Sequence, residues 1–417
     1  MISGAKKENI QHWLSVMNTF NSTPEFGTTR IVFTKPEIEN RNYVKSEFYK
    51  LGLDVTEDSI GNIFARYSGS EPALSPVWTG SHIDTVPNAG MFDGMSGVVC
   101  AMEAIRLMKA QHLIPKRDIV IVAYTSEEPT RYGLGCIGSR AMSGDLTLDK
   151  TKVLFDQSGR SLYEKLSSLG YDLTQFDSIQ KKTGDVFAAV ELHVEQNSCL
   201  ERDKTSIGIV KKICAPTIFH IELQGVQSHA GGTPMNERRD AFCAASEIAL
   251  LLEKITSESS SEFQTGTIGM MELIPSAVNV IPGIARFPID IRDCNMDTKE
   301  ETISKLKTGI QEICSRRKIT ATIKLLNHDV PLTCNSKIIK CIEQACHDLE
   351  ISYEPLISGP FHDSLFVGRF APTAMIFVPS KDGISHSPLE WTDYEALADG
   401  TNVLANTLWS LANKDIL

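Results

Sequence analysis

Glu127 and Glu128 are adjacent carboxylates that follow an apolar run, residues 119–126. A run of this length and composition is typical of a buried β-strand, so the pair is expected at the carboxyl end of that strand. Ligands of open α/β sheets bind at this edge. Two like charges repel each other there, and burial strengthens the repulsion. A nearby cation would relieve it, so the pair suggests chemistry that uses a metal ion.

Candidate metal ligands occur beside a second strand-like run, residues 76–81. This run leads into His82 and Asp84, whose side chains point the same way along an extended chain. That arrangement suits a histidine ligand whose other ring nitrogen is held by a carboxylate. Asp93 follows in a glycine-rich turn before the helical pattern of residues 98–109, so its charge is expected at the N-terminus of that helix.

Two further histidines are associated with strand-like runs. The run of residues 186–192 is followed directly by His193, and the run of residues 374–379 leads into a loop that contains His386. With the residues above they form a set of nitrogen and oxygen ligands without cysteine, which suits zinc, manganese, cobalt or nickel. Each member alone has a common structural explanation, because histidines after strands are usually hydrogen-bonded, Glu-Glu pairs are usually solvated, and Asp-Gly usually marks a turn. The combination nevertheless predicts a metal site.

Short blocks in the same order along most of the chain match a known family. They are 80–87 (GSHIDTVP), 92–94 (FDG), 127–133 (EEPTRYG), 138–140 (GSR), 191–196 (ELHVEQ), 229–235 (HAGGTPM), 279–283 (NVIPG), 290–292 (DIR), 362–363 (HD) and 383–386 (GISH). With these blocks the chain resembles the M20 metallopeptidase superfamily, in its amidase/hydantoinase/carbamoylase branch.

The resemblance implies a centre of two divalent ions, manganese or zinc, with cobalt or nickel as alternatives. The implied ligands are Asp93 bridging both ions, His82 and His193 on one ion, and Glu128 and His386 on the other. Glu127 would act as the general base, taking a proton from water and returning it to the leaving nitrogen. Asp84 would be the carboxylate partner of His82.

The resemblance also implies residues that contact the substrate. His229 would donate a hydrogen bond to the tetrahedral oxyanion from the partner subunit of a homodimer. Arg292 and Asn279 would bind a substrate carboxylate, for which the planar guanidinium is suited. Gln196 and His362 would line the substrate pocket. Because the carboxylate-binding residues and the metal ligands fall in different predicted domains, closure of the domains is expected to assemble the site.

Composition narrows the classes of function. The chain has 417 residues and a net charge of -11, which argues against nucleic acid and an anionic membrane surface as partners. The N-terminus lacks the apolar stretch of a signal peptide, and no run of about 18 apolar residues predicts a transmembrane helix. The ten cysteines include no CxxC pair, so free thiols in a reducing cytoplasm are expected.

The order of predicted elements indicates two domains. Residues 1–212 alternate strand-like and helix-like segments and residues 330–417 resume that pattern, which favours an α/β catalytic domain whose mixed sheet has helices on both faces. Residues 213–329 have the order strand, helix, strand, strand, helix, strand, which is typical of a ferredoxin-like α+β domain. Its second strand is predicted over residues 265–271. The resemblance implies that this inserted domain forms the homodimer interface.

The leading hypothesis is a metal-dependent amidohydrolase that cleaves the carbamoyl or ureido C–N bond of a linear acid and releases ammonia and carbon dioxide. The branch implies N-carbamoyl-L-amino acids, N-carbamoyl-β-alanine, allantoate or ureidoglycolate as substrates. Residues 127–133 and 362–366 are similar to ureidoglycolate amidohydrolases, whereas residues 380–386 are closer to carbamoylases and β-ureidopropionases. The alternative enzyme is an aminopeptidase or N-acyl-amino-acid hydrolase. A metal-binding or dimerisation module without activity is a third hypothesis, which Glu127 argues against because such a module needs no base.

Overall fold

The computed structural model describes residues 1–416 and divides into two compact units. The first unit comprises Met1–Lys211, Cys334–Leu356 and residues 362–416. The second unit comprises Lys212–Thr333 and Ile357–Phe361. In the sequence, the second unit therefore lies between parts of the first.

The two units are built from α-helices, β-strands and short 3-10 turns. The helices are α1 (Lys7–Thr19), α2 (Lys35–Lys50), α3 (Met95–Ala110), α4 (Ile137–Ser143), α5 (Leu148–Thr151), α6 (Leu162–Ser168), α7 (Cys199–Asp203), α8 (Ala241–Ser257), α9 (Met296–Arg317), α10 (Ser336–Asp348), α11 (Ser364–Val367) and α12 (Tyr394–Asn413). The strands are β1 (Asp54–Glu57), β2 (Ile63–Tyr67), β3 (Val77–His82), β4 (Ile119–Tyr124), β5 (Ala188–Val194), β6 (Ile207–Ile213), β7 (Ala215–Gln224), β8 (Ser228–His229), β9 (Gln264–Thr267), β10 (Glu272–Ile274), β11 (Val280–Ile281), β12 (Ile284–Asp293), β13 (Thr320–His328), β14 (Leu332–Thr333), β15 (Tyr353–Ser358) and β16 (Thr373–Val378).

A mixed sheet organises the first unit. Its strand order is β1-β2-β4-β3-β5-β16-β6, and β15 pairs with β6. The neighbours β4, β3, β5 and β16 are parallel, so their carboxyl ends meet at one edge of the sheet. The pairs β1–β2, β2–β4 and β16–β6 are antiparallel. The mixed α/β fold predicted from the sequence is confirmed.

The central strands are buried on both faces, which explains why their sequences are apolar without alternation. Every residue of β4 is buried. Val122 and Tyr124 belong to an apolar cluster that includes Ile137 and Met142 of α4. The intervening residues of β4 face the other side of the sheet, and α3 contacts the strand. Each large aliphatic side chain buried in this way contributes about 1.5–3 kcal/mol.

The second unit contains an antiparallel sheet with the strand order β10-β12-β7-β13, in which β9 also pairs with β12. Alternate residues of β12 are buried, and Phe287 and Ile289 join a core with the apolar faces of α8 and α9. The chain order is strand, helix, strand, strand, helix, strand, with β9 and β10 sharing the second strand position. This is the ferredoxin-like arrangement.

The structure corrects the strand predicted over residues 265–271. The second strand position is divided into β9, which ends at Thr267, and β10, which begins only at Glu272, and residues 268–271 belong to neither. The division occurs because β9 pairs with residues 290–293 of β12 and β10 pairs with residues 284–286. The residues between them leave the ladder, and Met270 is 66% exposed there. Among the helices of residues 1–416, none is long and apolar enough to cross a membrane.

Candidate active site

The parallel strands bring the predicted metal ligands and the predicted base to one edge of the sheet of the first unit. His82 is the last residue of β3 and lies opposite Tyr124, the last residue of β4. Glu127 follows shortly after Tyr124 in the chain. On the next pair of strands, His193 of β5 lies opposite Phe377 of β16. The segment after β16 contains the third predicted histidine, so ligands distant in sequence reach one edge.

The turn that presents Asp93 requires a glycine after it. Gly94 precedes α3 with a φ of 70°, a backbone conformation that residues other than glycine rarely adopt. A Cβ atom at Gly94 would lie 2.5 Å from Nδ1 of His82. The absence of a side chain therefore allows the Asp93 turn to approach the His82 ring closely.

His82, Asp93 and His193 form a first group able to hold a metal ion, with ligand atoms within 4.8 Å of one another. Nε2 of His82 and Nε2 of His193 lie 3.5 and 3.1 Å from Oδ1 of Asp93. In both rings Nδ1 faces a backbone carbonyl, Asp84 O at 3.1 Å and Val194 O at 2.9 Å. Because a carbonyl only accepts, Nδ1 carries the proton, and Nε2 is the atom able to bind a cation.

Asp93, Glu128 and His386 form a second group within the same distance limit. Nε2 of His386 lies 3.0 Å from Oδ2 of Asp93 and 3.2 Å from Oε1 of Glu128. The His386 side chain is 49% exposed, whereas the two carboxylates are buried. Asp93 thus offers one oxygen to each group. This arrangement allows a carboxylate to bridge two ions, and it unites all five predicted ligands.

Glu127 lies beside the first group without belonging to it. Its Oε2 is 3.9 Å from Nε2 of His82, and its Oε1 accepts a hydrogen bond from the Cys136 thiol at 3.7 Å. Burial raises the pKa of Glu127 well above its ordinary value, opposed by the charge of His82 and reinforced by that of Glu128. A buried carboxylate with a raised pKa is suited to proton transfer near neutral pH.

Asp84 contacts His82 through two of its groups. Its backbone carbonyl is the hydrogen-bond partner of His82 Nδ1, and its carboxylate lies 3.7 Å from the same nitrogen, within ion-pair distance. The carboxylate also accepts hydrogen bonds from the N–H groups of Glu127 and Glu128, both at 3.2 Å. Burial raises the pKa of Asp84 to about 7. Asp84 therefore connects the end of β3 to the carboxylate pair.

Several residues at the site have positive φ although none is glycine: Ser126 (55°), Cys136 (55°), Gln196 (56°) and His386 (53°). Such conformations cost about 1–3 kcal/mol each and persist only where the surroundings fix them. Here Cys136 N–H donates to Glu127 O at 2.8 Å, and Ile137 N–H donates to Ser126 O at 2.9 Å. Strain of this kind concentrates at functional sites.

Carboxylates dominate the buried polar groups around the site. They are Asp84, Asp93, Glu127, Glu128, Glu191, Asp363 and Glu390. Burial raises the pKa of Asp363 to about 8, with the charge of Glu191 adding to the effect. Hydrogen bonds with Asp93 and Glu128 raise the pKa of His386 to about 11. Negative charge contributes to both shifts, and a bound cation would offset it.

Gln196 and His362, predicted to line the substrate pocket, lie against the candidate ligands. Nε2 of Gln196 donates to Oδ2 of Asp93 at 2.9 Å and to Oγ of Ser385 at 3.2 Å. Oε1 of Gln196 is buried and has no hydrogen-bond partner within residues 1–416. The His362 ring packs edge-on against His193, with centroids 4.5 Å apart. Burial lowers the pKa of His362 well below its ordinary value, so this ring is neutral.

In the second unit, the structure brings His229 and Asn279 together. β8 ends at His229 and pairs with β11, and Ala230 N–H donates to Asn279 O at 3.0 Å. Nδ1 of His229 accepts from the N–H groups of Gly231 and Gly232 at 3.1 and 3.0 Å. Nδ1 is therefore unprotonated, and the proton resides on Nε2, which becomes a donor. The role of His229 as an oxyanion donor stays a prediction. A proton on Nε2 is the tautomer that this role requires.

Arg292 lies on β12 of the second unit, where its side chain is 32% exposed. Asp290 accepts hydrogen bonds from Nε at 3.1 Å and from Nη2 at 3.0 Å. The guanidinium carbon lies 5.6 Å from the centroid of the Phe361 ring. Nη1 has no acceptor in the described part of the chain, so one edge of the guanidinium is occupied and the other can receive a carboxylate.

Sequence reasoning missed Glu390. Its Oε2 accepts hydrogen bonds from the N–H groups of Phe92 and Asp93 at 3.0 and 3.2 Å, and its Oε1 accepts one from Ser385 Oγ at 2.8 Å. The available signal was a carboxylate in the loop that follows a candidate histidine ligand, His386. No sequence signal marks the Cys136 thiol as a neighbour of the base, because the contact depends on two strained turns.

The fold and the site together define a class of protein. A mixed α/β sheet that gathers histidines and carboxylates at its strand ends, with a separate buried carboxylate beside them, is the architecture of a metal-dependent hydrolase. Residues 78–410 match the model of Peptidase family M20/M25/M40. The chain belongs to this family, and the resemblance predicted from its motifs is confirmed.

Similar proteins cover nearly the whole chain. It is 39% identical to a ureidoglycolate hydrolase of Arabidopsis thaliana over 410 residues, which is 97% of this chain and 86% of the relative. It is 35% identical to an N-carbamoyl-L-amino acid amidohydrolase of Geobacillus stearothermophilus over 414 residues, 99% of each chain. A crystal structure of AtUAH in complex with glyoxylate has a TM-score of 0.89 at 37% identity, covering 99% of both chains.

Proposed function

We propose that the protein is a binuclear metal-dependent amidohydrolase that cleaves the carbamoyl or ureido C–N bond of a linear acid. The products are ammonia, carbon dioxide and the remaining acid. The observation that carries the proposal is Asp93, whose two oxygens face separate groups of candidate ligands while Glu127 lies beside one group. A shared ligand is what a pair of ions about 3.5–4 Å apart requires.

Manganese or zinc fits the combination of imidazole and carboxylate ligands, and cobalt or nickel are alternatives. His82 and His193 would hold one ion with Asp93, and Glu128 and His386 would hold the other with the same aspartate. Bound divalent ions supply Lewis acidity, which polarises a scissile carbonyl and lowers the pKa of water. Their positive charge would also offset the repulsion among the buried carboxylates.

Residues of the chain then have separate duties. Glu127 takes the proton of the attacking water and returns it to the leaving nitrogen. His229 of the partner subunit donates from Nε2 to the developing oxyanion, since its Nδ1 is already an acceptor. Oε1 of Gln196 lacks a partner in residues 1–416 and is suited to accept a hydrogen bond from a ureido N–H. Arg292 and Asn279 bind the substrate carboxylate.

A ureido acid is the substrate class that the relatives support best. The ureidoglycolate hydrolases of Oryza sativa and Arabidopsis thaliana are 38% and 39% identical to this chain. The allantoate amidohydrolases of Bacillus subtilis and Escherichia coli are 33% and 32% identical. We therefore place ureidoglycolate first among the substrates, followed by N-carbamoyl-L-amino acids and allantoate.

We further propose that the protein is a cytoplasmic homodimer that associates through its second unit. In that unit β13 is at the end of the sheet order, and Leu325 and Leu326 on this strand are 54% and 52% exposed. An edge strand with exposed leucines is suited to pairing with another copy. All ten cysteines are free thiols, which supports a reducing compartment. Light scattering coupled to size exclusion tests the dimer.

The activity is tested by ammonia release from a panel of substrates. Chelator-stripped protein is reconstituted separately with Mn²⁺, Zn²⁺, Co²⁺ or Ni²⁺ and offered ureidoglycolate, allantoate, N-carbamoyl-L-amino acids and N-carbamoyl-β-alanine. A dipeptide and an N-acetyl amino acid represent the alternative hydrolases. The proposal predicts ammonia from a ureido or carbamoyl acid only when metal is present. Faster cleavage of the dipeptide or the acetyl group would overturn it.

A further inference from the structure

We propose that Glu390 is a positioning residue that fastens two ligand-bearing loops to each other and thereby maintains the group formed by Asp93, Glu128 and His386. The inference rests on the proposed two-ion centre and concerns residues of the first unit only. It assigns to Glu390 no contact with the substrate or with an ion. Its role is to hold the ligands at binding distance.

The contacts of Glu390 connect segments that are far apart in sequence. One carboxylate oxygen accepts hydrogen bonds from the backbone N–H groups of Phe92 and Asp93 at 3.0 and 3.2 Å. The other accepts one from Oγ of Ser385 at 2.8 Å. Ser385 directly precedes His386 and lies 3.3 Å from Oδ2 of Asp93. A single carboxylate therefore contacts the backbone of one proposed ligand and the chain neighbour of another.

The packing around Glu390 leaves it little freedom. The residue is 4% exposed, and a Cβ atom at Gly90 would lie 2.9 Å from its Cδ. Glycine at position 90 thus makes room for the carboxylate beneath the Asp93 turn. Charge-assisted hydrogen bonds from backbone N–H groups are among the stronger ones in proteins. These hydrogen bonds and the close packing of Glu390 connect the two loops.

The two candidate groups depend on Glu390 to different degrees. His82 and His193 belong to strands and are oriented by hydrogen bonds to backbone carbonyls. His386 instead lies in the loop after β16, with a φ of 53° and a side chain 49% exposed. In that loop Ser385, the chain neighbour of His386, donates from Oγ to Oε1 of the Glu390 side chain at 2.8 Å. Loss of the Glu390 side chain should therefore loosen the second group far more than the first.

The test measures metal binding directly. Mn²⁺ is titrated calorimetrically into chelator-stripped parent protein, Glu390→Ala and Glu390→Gln, and bound manganese is counted by mass spectrometry after desalting. Glu103→Ala is the matched control, because Glu103 is also a buried carboxylate and accepts a backbone N–H, that of Lys6, at 2.8 Å. Circular dichroism establishes that each variant is folded.

The expected result is selective loss of one ion. Parent protein and the Glu103→Ala control bind two, whereas Glu390→Ala retains one at parental affinity and binds the second about 10–100-fold more weakly. Glu390→Gln keeps an acceptor for the N–H groups of Phe92 and Asp93 and restores most of the second affinity. Two ions at parental affinity in Glu390→Ala, or equal weakening of both, would overturn the inference. Fewer than two ions in the parent would instead refute the proposed two-ion function.

Discussion

Replacing Glu127 by Gln is the sharpest test of how the adjacent carboxylates divide their work. The amide has nearly the same shape, and Glu127 is 6% exposed, so the variant changes the proton chemistry of a buried group with little change in packing. Glu127 N–H still donates to Asp84 at 3.2 Å, because this contact uses only the backbone. The substitution therefore removes the base and leaves its surroundings in place.

The size of the effect follows from the role assigned to the side chain. General base catalysis typically contributes about 10²–10⁴-fold to a rate. At about 1.36 kcal/mol per tenfold, the activation barrier rises by about 2.7–5.4 kcal/mol. Stability should not fall, since the amide replaces a carboxyl group whose pKa is raised by burial and by the charge of Glu128, and which therefore costs free energy when it is ionised. The expected variant is folded, loaded with metal and nearly inactive.

The neighbouring residue provides the control. Glu128→Gln alters a proposed ligand whose Oε1 lies 3.2 Å from Nε2 of His386, so it should lose bound metal along with activity. Initial rates of ammonia release, metal content and thermal unfolding are measured for parent, Glu127→Gln and Glu128→Gln. If Glu127→Gln kept more than about a tenth of the parental kcat, or lost metal as Glu128→Gln does, the assignment of the base would be wrong.

Three further perturbations examine other parts of the proposal. Arg292→Ala should raise KM for a carboxylate-bearing substrate by about 10-fold or more, because it removes a bidentate charged contact. The control Arg286→Ala, on the same strand, should leave KM unchanged. An unchanged KM in Arg292→Ala would contradict its role in carboxylate binding. Gly94→Ala should weaken Mn²⁺ binding, measured by calorimetry, because the new Cβ would lie 2.5 Å from Nδ1 of His82; parental affinity would contradict the close-approach argument. Chelator-stripped protein should lose thermal stability as pH rises from about 4 to about 7, because the folded-state pKa of Asp84 is raised to about 7 and the folded state therefore binds more protons in that window. Stability that is flat or rises there would contradict the last prediction.

The grouping of the proposed ligands was predictable because strand ends can be recognised in the sequence. Buried parallel strands have apolar runs, and the polar residue at the end of each run marks the edge where ligands bind. His82 and His193 occupy the last and next-to-last positions of β3 and β5. The helices and three of the four strand positions in the second unit were predictable for the same reason, from the spacing of their apolar residues.

Other features depend on geometry that a local pattern does not encode. The division of the second strand in the second unit follows from which residues of β12 it meets, and an apolar period gives no information on that register. Glu390 reaches Phe92 and Asp93 across almost three hundred positions of sequence. The carboxylate of Asp84 accepts a hydrogen bond from the backbone of the Glu127 turn as well as lying 3.7 Å from Nδ1 of His82, which the Asp84 carbonyl also contacts.

The strained residues and the buried carboxylates at the site share one physical consequence. Positive φ at Ser126, Cys136 and His386 costs about 1–3 kcal/mol for each residue, and repulsion among the carboxylates adds to this cost. A ligand that binds only the folded state offsets such costs by mass action, contributing about 2.7 kcal/mol at a free concentration one hundred times its Kd. Metal binding and folding of this edge of the sheet should therefore be coupled. Under the proposed function, the residues assigned to proton transfer and metal binding are therefore also those that make this edge of the sheet depend on a bound cation.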